Sequence, residues 1–259
     1  MQTEASGDSR AAAMERQPLA FNRVVVIGGG CYGSWYTQQL AKAIARKAVS
    51  INEIIVVDHS SDCRVATLLA EHGFQGAPVR LAVEPWDQYL RTWLAAGSEA
   101  LQRDAMVPSP LMPHLCLDWL MSRARDRWPN RTVQVDPLPS VPELPWERAA
   151  PDGRHYVSFA SWTCPVNCIE PAKCPATRGA RDWSMPPFVQ GYAARHGKAI
   201  NAACIFHCSH RVYGVGMIDA AAIVAADAIV SSQSADQAVH VLVGTVSHCH
   251  GALGLMSVT

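Results

Sequence analysis

Short apolar runs alternate with helix-forming stretches along the first half of the chain. Residues 23–27 form a β-branched run, which is typical of a strand buried on both faces. Residues 34–48 are rich in Ala, Gln, Leu and Lys and predict a helix, and residues 53–58 predict a second strand. The pattern continues with predicted helices at 63–73, 86–97 and 112–127 and a predicted strand at 78–83.

The second half carries three further strand candidates, and each leads into a group of cysteine or histidine residues. The strands are predicted at 156–162, 199–206 and 238–246, with a helix at 216–230 and a closing strand at 253–258 that completes a hairpin at a sheet edge. In an open α/β sheet, ligands bind outside the carboxyl ends of the strands. If these strands run parallel with residues 23–27, the cysteine and histidine groups share one edge of the sheet.

A G-x-G-x-x-G motif connects the first strand to the first helix through Gly28, Gly30 and Gly33, and the second strand ends in Asp58. Gly28 permits a tight turn, Gly30 lets a pyrophosphate approach the backbone, and Gly33 lets the helix pack against the strand. The helix N-terminus then receives the phosphates, and Asp58 accepts hydrogen bonds from the adenosine ribose. This arrangement predicts NAD as the cofactor, with FAD or NADP as alternatives.

Residues 22–60 therefore resemble the first β–α–β unit of NAD(P)-binding Rossmann domains, including the NAD-binding domain of bacterial potassium-uptake regulators. The resemblance implies dinucleotide binding through Gly28, Gly30, Gly33 and Asp58. It covers about forty residues and says nothing of the second half.

The expected fold class is α/β, a Rossmann-like and mostly parallel sheet with a Cys-rich metal or iron–sulfur loop at its carboxyl edge. Residues 1–20 lack the apolar segment of a secretory signal and are expected to form a disordered leader. The Rossmann-like dinucleotide-binding half spans residues 21–134, and a Pro-rich connection spans 135–155. Residues 156–259 form an α/β half with the Cys/His cluster, which we expect to continue the same sheet.

Composition and charge narrow the class of protein further. Lys+Arg and Asp+Glu balance at 22 each, which argues against nucleic acid as a partner. No apolar run reaches the ~20 residues that a membrane helix requires, so no membrane association is expected. Nine cysteines in a chain without a secretory signal favour metal or catalytic use in a reducing, cytoplasmic setting over disulfides.

The candidate metal ligands begin with Cys164, Cys168 and Cys174, which lie in a proline-interrupted loop that no helix or strand can traverse. Cys249 is the preferred fourth ligand because it follows the strongest strand candidate, with Cys208 as second choice and nearby histidines as further alternatives. Cysteine-only ligation selects iron–sulfur clusters or zinc. An iron–sulfur cluster is the favoured occupant, zinc is the alternative, and a metal-free thiol or disulfide centre remains open.

These features predict a redox protein, an oxidoreductase or electron-transfer subunit, that couples a dinucleotide to a cysteine-ligated centre. His248 or His250 is the expected proton donor, because imidazole titrates near neutral pH. The alternative is a nucleotide-sensing or accessory subunit with a structural zinc or iron–sulfur site. A zinc hydrolase that uses Glu170 as its base is a weaker third. We also expect a homo-oligomer and a redox partner or larger assembly.

Overall fold

The computed structural model describes residues 19–140, 142–165, 168–233 and 237–259. Within these ranges the chain is a mixed α/β protein with two six-stranded sheets. The first sheet contains β1 (Leu19–Ile27), β2 (Val49–Asp58), β3 (Val79–Val83), β4 (Asp104–Val107), β9 (Ser209–Val212) and β10 (Val215–Asp219). The second contains β5 (Val133–Asp136), β6 (Trp146–Ala149), β7 (His155–Ser158), β8 (Ala202–His207), β11 (Val239–Val246) and β12 (His250–Val258). The helices are α1 (Cys31–Ala45), α2 (Arg64–Glu71), α3 (Trp86–Leu94), α4 (Leu115–Arg127), α5 (Met185–Arg195) and α6 (Ala220–Ser231).

The first sheet has the strand order β3-β2-β1-β4-β10-β9. Strands β1 to β4 are parallel, whereas β10 runs antiparallel to β4 and β9 antiparallel to β10. Val24 and Val25 are fully buried on opposite faces of β1, which is why the run reads as continuously apolar. The predicted β–α–β elements of residues 23–58 are thereby confirmed. The predicted leader lies outside the described residues up to residue 18, and residues 19 and 20 belong to β1.

The second sheet corrects the expectation that residues 156–259 continue one mostly parallel sheet. Only β9 and β10 join the first sheet, and both do so antiparallel to their neighbours. In the second sheet β8 and β11 are parallel, but β12 pairs antiparallel with β11 on one side and with β7 and β5 on the other. The predicted hairpin of β11 and β12 is present, and its second strand is internal, not at an edge. Strand β6 lies inside the predicted Pro-rich connection.

The elements stack in five layers. Helices α3, α4 and α6 fill the space between the two sheets, where Ile55 of the first sheet and Val241 of the second belong to one core with Leu120 of α4. Helices α1 and α2 cover the other face of the first sheet, and α5 covers the outer face of the second. No helix among the described residues is long and apolar enough to cross a membrane.

One of the passages of the chain between the two sheets takes a single residue. Strand β8 ends at His207 and β9 begins at Ser209, so Cys208 alone separates a strand of the second sheet from a strand of the first. The carboxyl end of β8 therefore lies at the junction of the two sheets, next to the carboxyl end of β11, because Val246 is the register partner of His207. This junction is where the candidate site forms.

Candidate functional site

The three motif glycines occupy distinct environments. Gly28 has a φ of +86°, a conformation that favours glycine, and its N–H donates to the carbonyl of Val57 at 2.8 Å. A Cβ at Gly33 would lie 1.6 Å from the Gly28 carbonyl oxygen, so a side chain cannot fit there. A Cβ at Gly30 would meet nothing within 4 Å, and no side chain caps the N-terminus of α1. The loop thus leaves open backbone N–H groups at the position expected for a phosphate.

Asp58 holds the glycine loop through hydrogen bonds. Its carboxylate accepts hydrogen bonds from the Gly29 N–H at 2.6 Å and from the Ser60 N–H at 2.9 Å, and the residue is only 6% exposed. The structure therefore places Asp58 as a support of the glycine loop. Its contact with a ribose stays a prediction.

The four cysteines predicted as ligands line one small cavity. Cys164, Cys168 and Cys174 come from the loop after β7, and Cys249 comes from the turn between β11 and β12. The cavity holds about 10 Å³, close to the space of one water-sized sphere. All four side chains are free thiols. As positioned, no three His, Cys, Asp or Glu side chains in the described part of the chain form a group that could hold a metal ion.

The sulfurs of Cys168 and Cys249 accept hydrogen bonds from nitrogen donors. The Glu170 backbone N–H donates to Cys168 Sγ at 3.3 Å, and the Trp183 Nε1–H donates to Cys249 Sγ at 3.3 Å. Such donors stabilise a thiolate and tune a metal bound to it.

The thiols differ in their tendency to ionise. The backbone N–H and the hydroxyl of Thr177 hold the pKa of Cys174 below its usual value. Burial raises the pKa of Cys249 to about 12, and burial together with the neighbouring thiols raises the pKa of Cys164. A buried thiol with a raised pKa loses its proton when a cation binds beside it, because coordination requires the thiolate.

Glu170 joins the two segments that carry these cysteines. One carboxylate oxygen accepts hydrogen bonds from the Ser247 hydroxyl at 2.6 Å and the Cys249 N–H at 3.0 Å, and the other accepts from the His248 N–H at 2.9 Å. Burial raises the pKa of Glu170, but the three donors outweigh it and the net pKa is lowered. The carboxylate is therefore ionised and occupied, which leaves it poorly suited to act as the base of a hydrolase.

The two histidines predicted as proton donors lie on either side of Cys249 in different surroundings. His248 contacts the Ser184 hydroxyl through Nδ1 at 2.9 Å and stands edge-to-face against His207. His250 is exposed, and its Nδ1 lies 2.9 Å from the Ser158 hydroxyl oxygen. Neither serine was identifiable from the sequence, because single serines near strand ends are common.

A crevice of about 350 Å³ opens at the junction of the sheets. It is lined by α1, by the segment after β4, and by the carboxyl ends of β8 and β11 with the start of β12. The lining residues are Tyr36, Pro108, Ser109, Pro110, Pro113, Tyr156, Cys208, Thr245, Val246, Ser247, His250, Gly251 and Ala252. Cys208, the second-choice ligand, thus faces the crevice and does not line the thiol cavity, and burial raises its pKa to about 12.

A second groove, of about 530 Å³, links the crevice to the thiol cavity. It shares Tyr156 and His250 with the crevice, and it shares Trp162 and Cys164 with the thiol cavity. Residues 28–30 of the glycine loop do not line the crevice, although α1, which follows them, does so through Tyr36. The structure thus places the thiols, His250 and the strand ends of both sheets around three neighbouring pockets that share lining residues.

The fold and the site define a mixed α/β protein with a four-thiol cavity beside a crevice at its strand ends. Residues 116–259, more than half of the chain, match the AF_1314_C family, which is described as the C-terminal domain of an uncharacterized protein, and the chain belongs to this family. The matched region contains all four cysteines of the cavity. No curated protein and no solved structure matches the chain.

Proposed function

We propose that this protein is a redox protein in which a dinucleotide held by the glycine loop exchanges electrons with a metal centre held by four cysteines. The observation that carries the proposal is that the groove shares lining residues with both the crevice and the thiol cavity. A purely structural metal site does not need to adjoin a crevice at the strand ends, whereas an electron-transfer centre must lie close to its partner.

The first four strands support the dinucleotide half. The parallel order β3-β2-β1-β4 places β1 and β4 at the point where the strand order reverses, which is where open α/β sheets bind ligands. The glycine loop follows β1, and residues 108–113 follow β4 and line the crevice. We interpret this strand order as that of a Rossmann-like domain. Gly30 would admit the pyrophosphate, and the crevice would admit the reactive end of the dinucleotide.

The donor set supports an iron–sulfur cluster as the redox member of the pair. Four thiols around one cavity are ligands for iron–sulfur clusters or zinc, and only the cluster changes redox state. Such a cluster accepts one electron at a time. A flavin can release its two electrons singly, so FAD balances directly with the cluster, whereas NADH, which transfers a hydride, needs a two-electron acceptor as well.

His250 is the residue that we propose to exchange a proton with the bound substrate or cofactor. The Ser158 hydroxyl donates to the Ala160 carbonyl at 2.9 Å, so the Ser158 oxygen accepts the hydrogen from Nδ1 of His250. Nε2 of His250 is then the unprotonated nitrogen, and the ring lines both the crevice and the groove. His248 does not line the crevice, so His250 is the better candidate to donate a proton to a molecule bound there.

A structural zinc site in a nucleotide-sensing or accessory subunit is the second candidate. The observation that favours it is the volume of the thiol cavity, because about 10 Å³ suits a single ion better than a cluster. In that case the dinucleotide would act as a signal, and no electron would leave it.

Anaerobic purification followed by metal and acid-labile sulfide analysis separates the two candidates. Iron with sulfide supports the redox protein, one equivalent of zinc without iron supports the sensor, and a protein that binds neither metal refutes both. Cys168→Ser and Cys249→Ser should lower the metal content, while Cys31→Ser, which replaces an exposed thiol outside the cavity, should not. If NAD, NADP and FAD all fail to raise the melting temperature, the dinucleotide part is wrong.

A further inference from the structure

Three imidazoles lie near Glu170. His207 ends β8, His210 lies in β9, and His248 lies between β11 and β12. The ring centres of His207 and His248 are 4.7 Å apart, and Nδ1 of His210 is 3.7 Å from a carboxylate oxygen of Glu170. None of these three side chains lines the thiol cavity.

Two of the imidazole nitrogens are buried without a hydrogen-bond partner. They are Nε2 of His207 and Nδ1 of His210, both within the described part of the chain. His248 uses Nδ1 for the Ser184 hydroxyl, which leaves Nε2 as its remaining nitrogen. An unsatisfied buried polar atom costs about 1–3 kcal/mol, so a ligand bound to these nitrogens would relieve that cost. The adjacent carboxylate of Glu170 makes a cation the species that fits.

We infer that His207, His210 and His248 form a second metal site, separate from the four thiols, for a divalent transition ion such as Zn²⁺ or Fe²⁺. Imidazole is the ligand type that these ions share. Glu170 supplies the neighbouring negative charge, and the Ser184 hydroxyl supplies the outer hydrogen bond that a metal-bound histidine usually makes through its second nitrogen.

The ring geometry is compatible with a shared ion. Two imidazoles bound to one tetrahedral ion have ring centres roughly 5 Å apart when each metal–nitrogen bond is about 2.1 Å long. The 4.7 Å between His207 and His248 is close to this value. As positioned, the three histidines do not meet around one point where a metal ion could bind, which holds for every such group among the described residues. Metal binding therefore requires rotation of at least one imidazole ring. The unpartnered nitrogens of His207 and His210 have no hydrogen bond to lose.

Cobalt titration of the full-length protein, purified with its thiol centre loaded, tests this inference. We expect one Co²⁺ to bind with d–d bands but without a sulfur-to-cobalt charge-transfer band. The double variant His207→Gln with His210→Gln should weaken this binding more than tenfold and leave the thiol centre intact. His72→Gln, which changes an exposed histidine on α2's carboxyl side, should bind like the wild type.

X-ray absorption at the cobalt edge of the wild-type protein gives a test that does not depend on the folding of a variant, with imidazole scattering and no sulfur expected. A charge-transfer band, sulfur in the first shell, no Co²⁺ binding, or wild-type affinity in the double variant would overturn the inference. Cys168→Ser distinguishes it from the proposed function, because that variant should lose the thiol centre and keep the cobalt site.

Discussion

Glu170→Gln is the change that probes the site most directly. The carboxylate of Glu170 is 8% exposed and accepts three hydrogen bonds from the turn that carries Cys249. Glutamine has nearly the same shape, but only one of its two terminal atoms is an acceptor. The substitution therefore changes the bonding and leaves the packing almost unchanged.

The magnitude follows from counting donors. Glutamine can keep the oxygen that serves Ser247 and Cys249, but its amide group then faces the N–H of His248. A hydrogen bond to a charged group contributes about 2 kcal/mol, so we expect Glu170→Gln to lower the free energy of unfolding by about 2 kcal/mol. Glu170→Ala removes the acceptor of all three donors, and at the same value per hydrogen bond we expect a loss of about 6 kcal/mol.

Urea unfolding followed by circular dichroism measures both values. A loss of about 2 kcal/mol corresponds to a fall in melting temperature of roughly 4–8 °C for a chain of this size. Glu147→Gln, which changes an exposed residue of β6, serves as the matched control and should stay within about 0.5 kcal/mol of the wild type. If Glu170→Gln behaved like the control, the carboxylate would not hold the turn and the reasoning would fail.

Three further changes test other parts of the structure. Burial lowers the pKa of His114 to about 4, so the unfolded chain takes up a proton below pH ~6.5 that the folded chain resists. Stability from this group is full above pH ~6.5 and falls by about 2 kcal/mol by pH 5, and urea unfolding at both pH values should show that His114→Phe removes this fall. Gly33→Ala should unfold the glycine loop, whereas Gly30→Ala should melt like the wild type without ligand and lose the stabilisation expected from the proposed dinucleotide. Equal melting temperatures for the two variants without ligand would contradict the assigned environments. Trp183→Phe removes the donor to Cys249 and should lower the reduction potential of an iron–sulfur centre in a redox titration, and an unchanged potential would show that this bond does not tune it.

The local elements of the first half were predictable because their signals are local. A β-branched run buried on both faces, a glycine motif and a proline-free helical stretch need no knowledge of distant residues. The convergence of Cys164 and Cys249 was also accessible, since both follow predicted strands and carboxyl ends gather together.

The division into two sheets was not accessible from the sequence. Strands β5 and β6 are four residues long and have no readable periodicity, yet β5 and β7 occupy the free side of β12 and make it an internal strand. Pairing of this kind joins residues 92 to 125 positions apart in the sequence. The hydrogen bond from the Gly29 N–H to Asp58 could not be predicted either. The sequence pattern of an acid at a strand end is the same whether that acid binds a ribose or its own loop.

Residues 116–259 contribute strands to both sheets, and this bears on how the C-terminal domain can be inherited. The family match begins at residue 116, inside α4, and includes β9 and β10. Strand β4, which pairs with β10, lies upstream of that boundary. Residues 116–259 expressed alone would leave β10 with one unpaired edge and would uncover the face of α6 that packs against the first sheet. We therefore expect the segment to be less stable alone than in a chain that supplies a strand and an apolar surface in the place of β4.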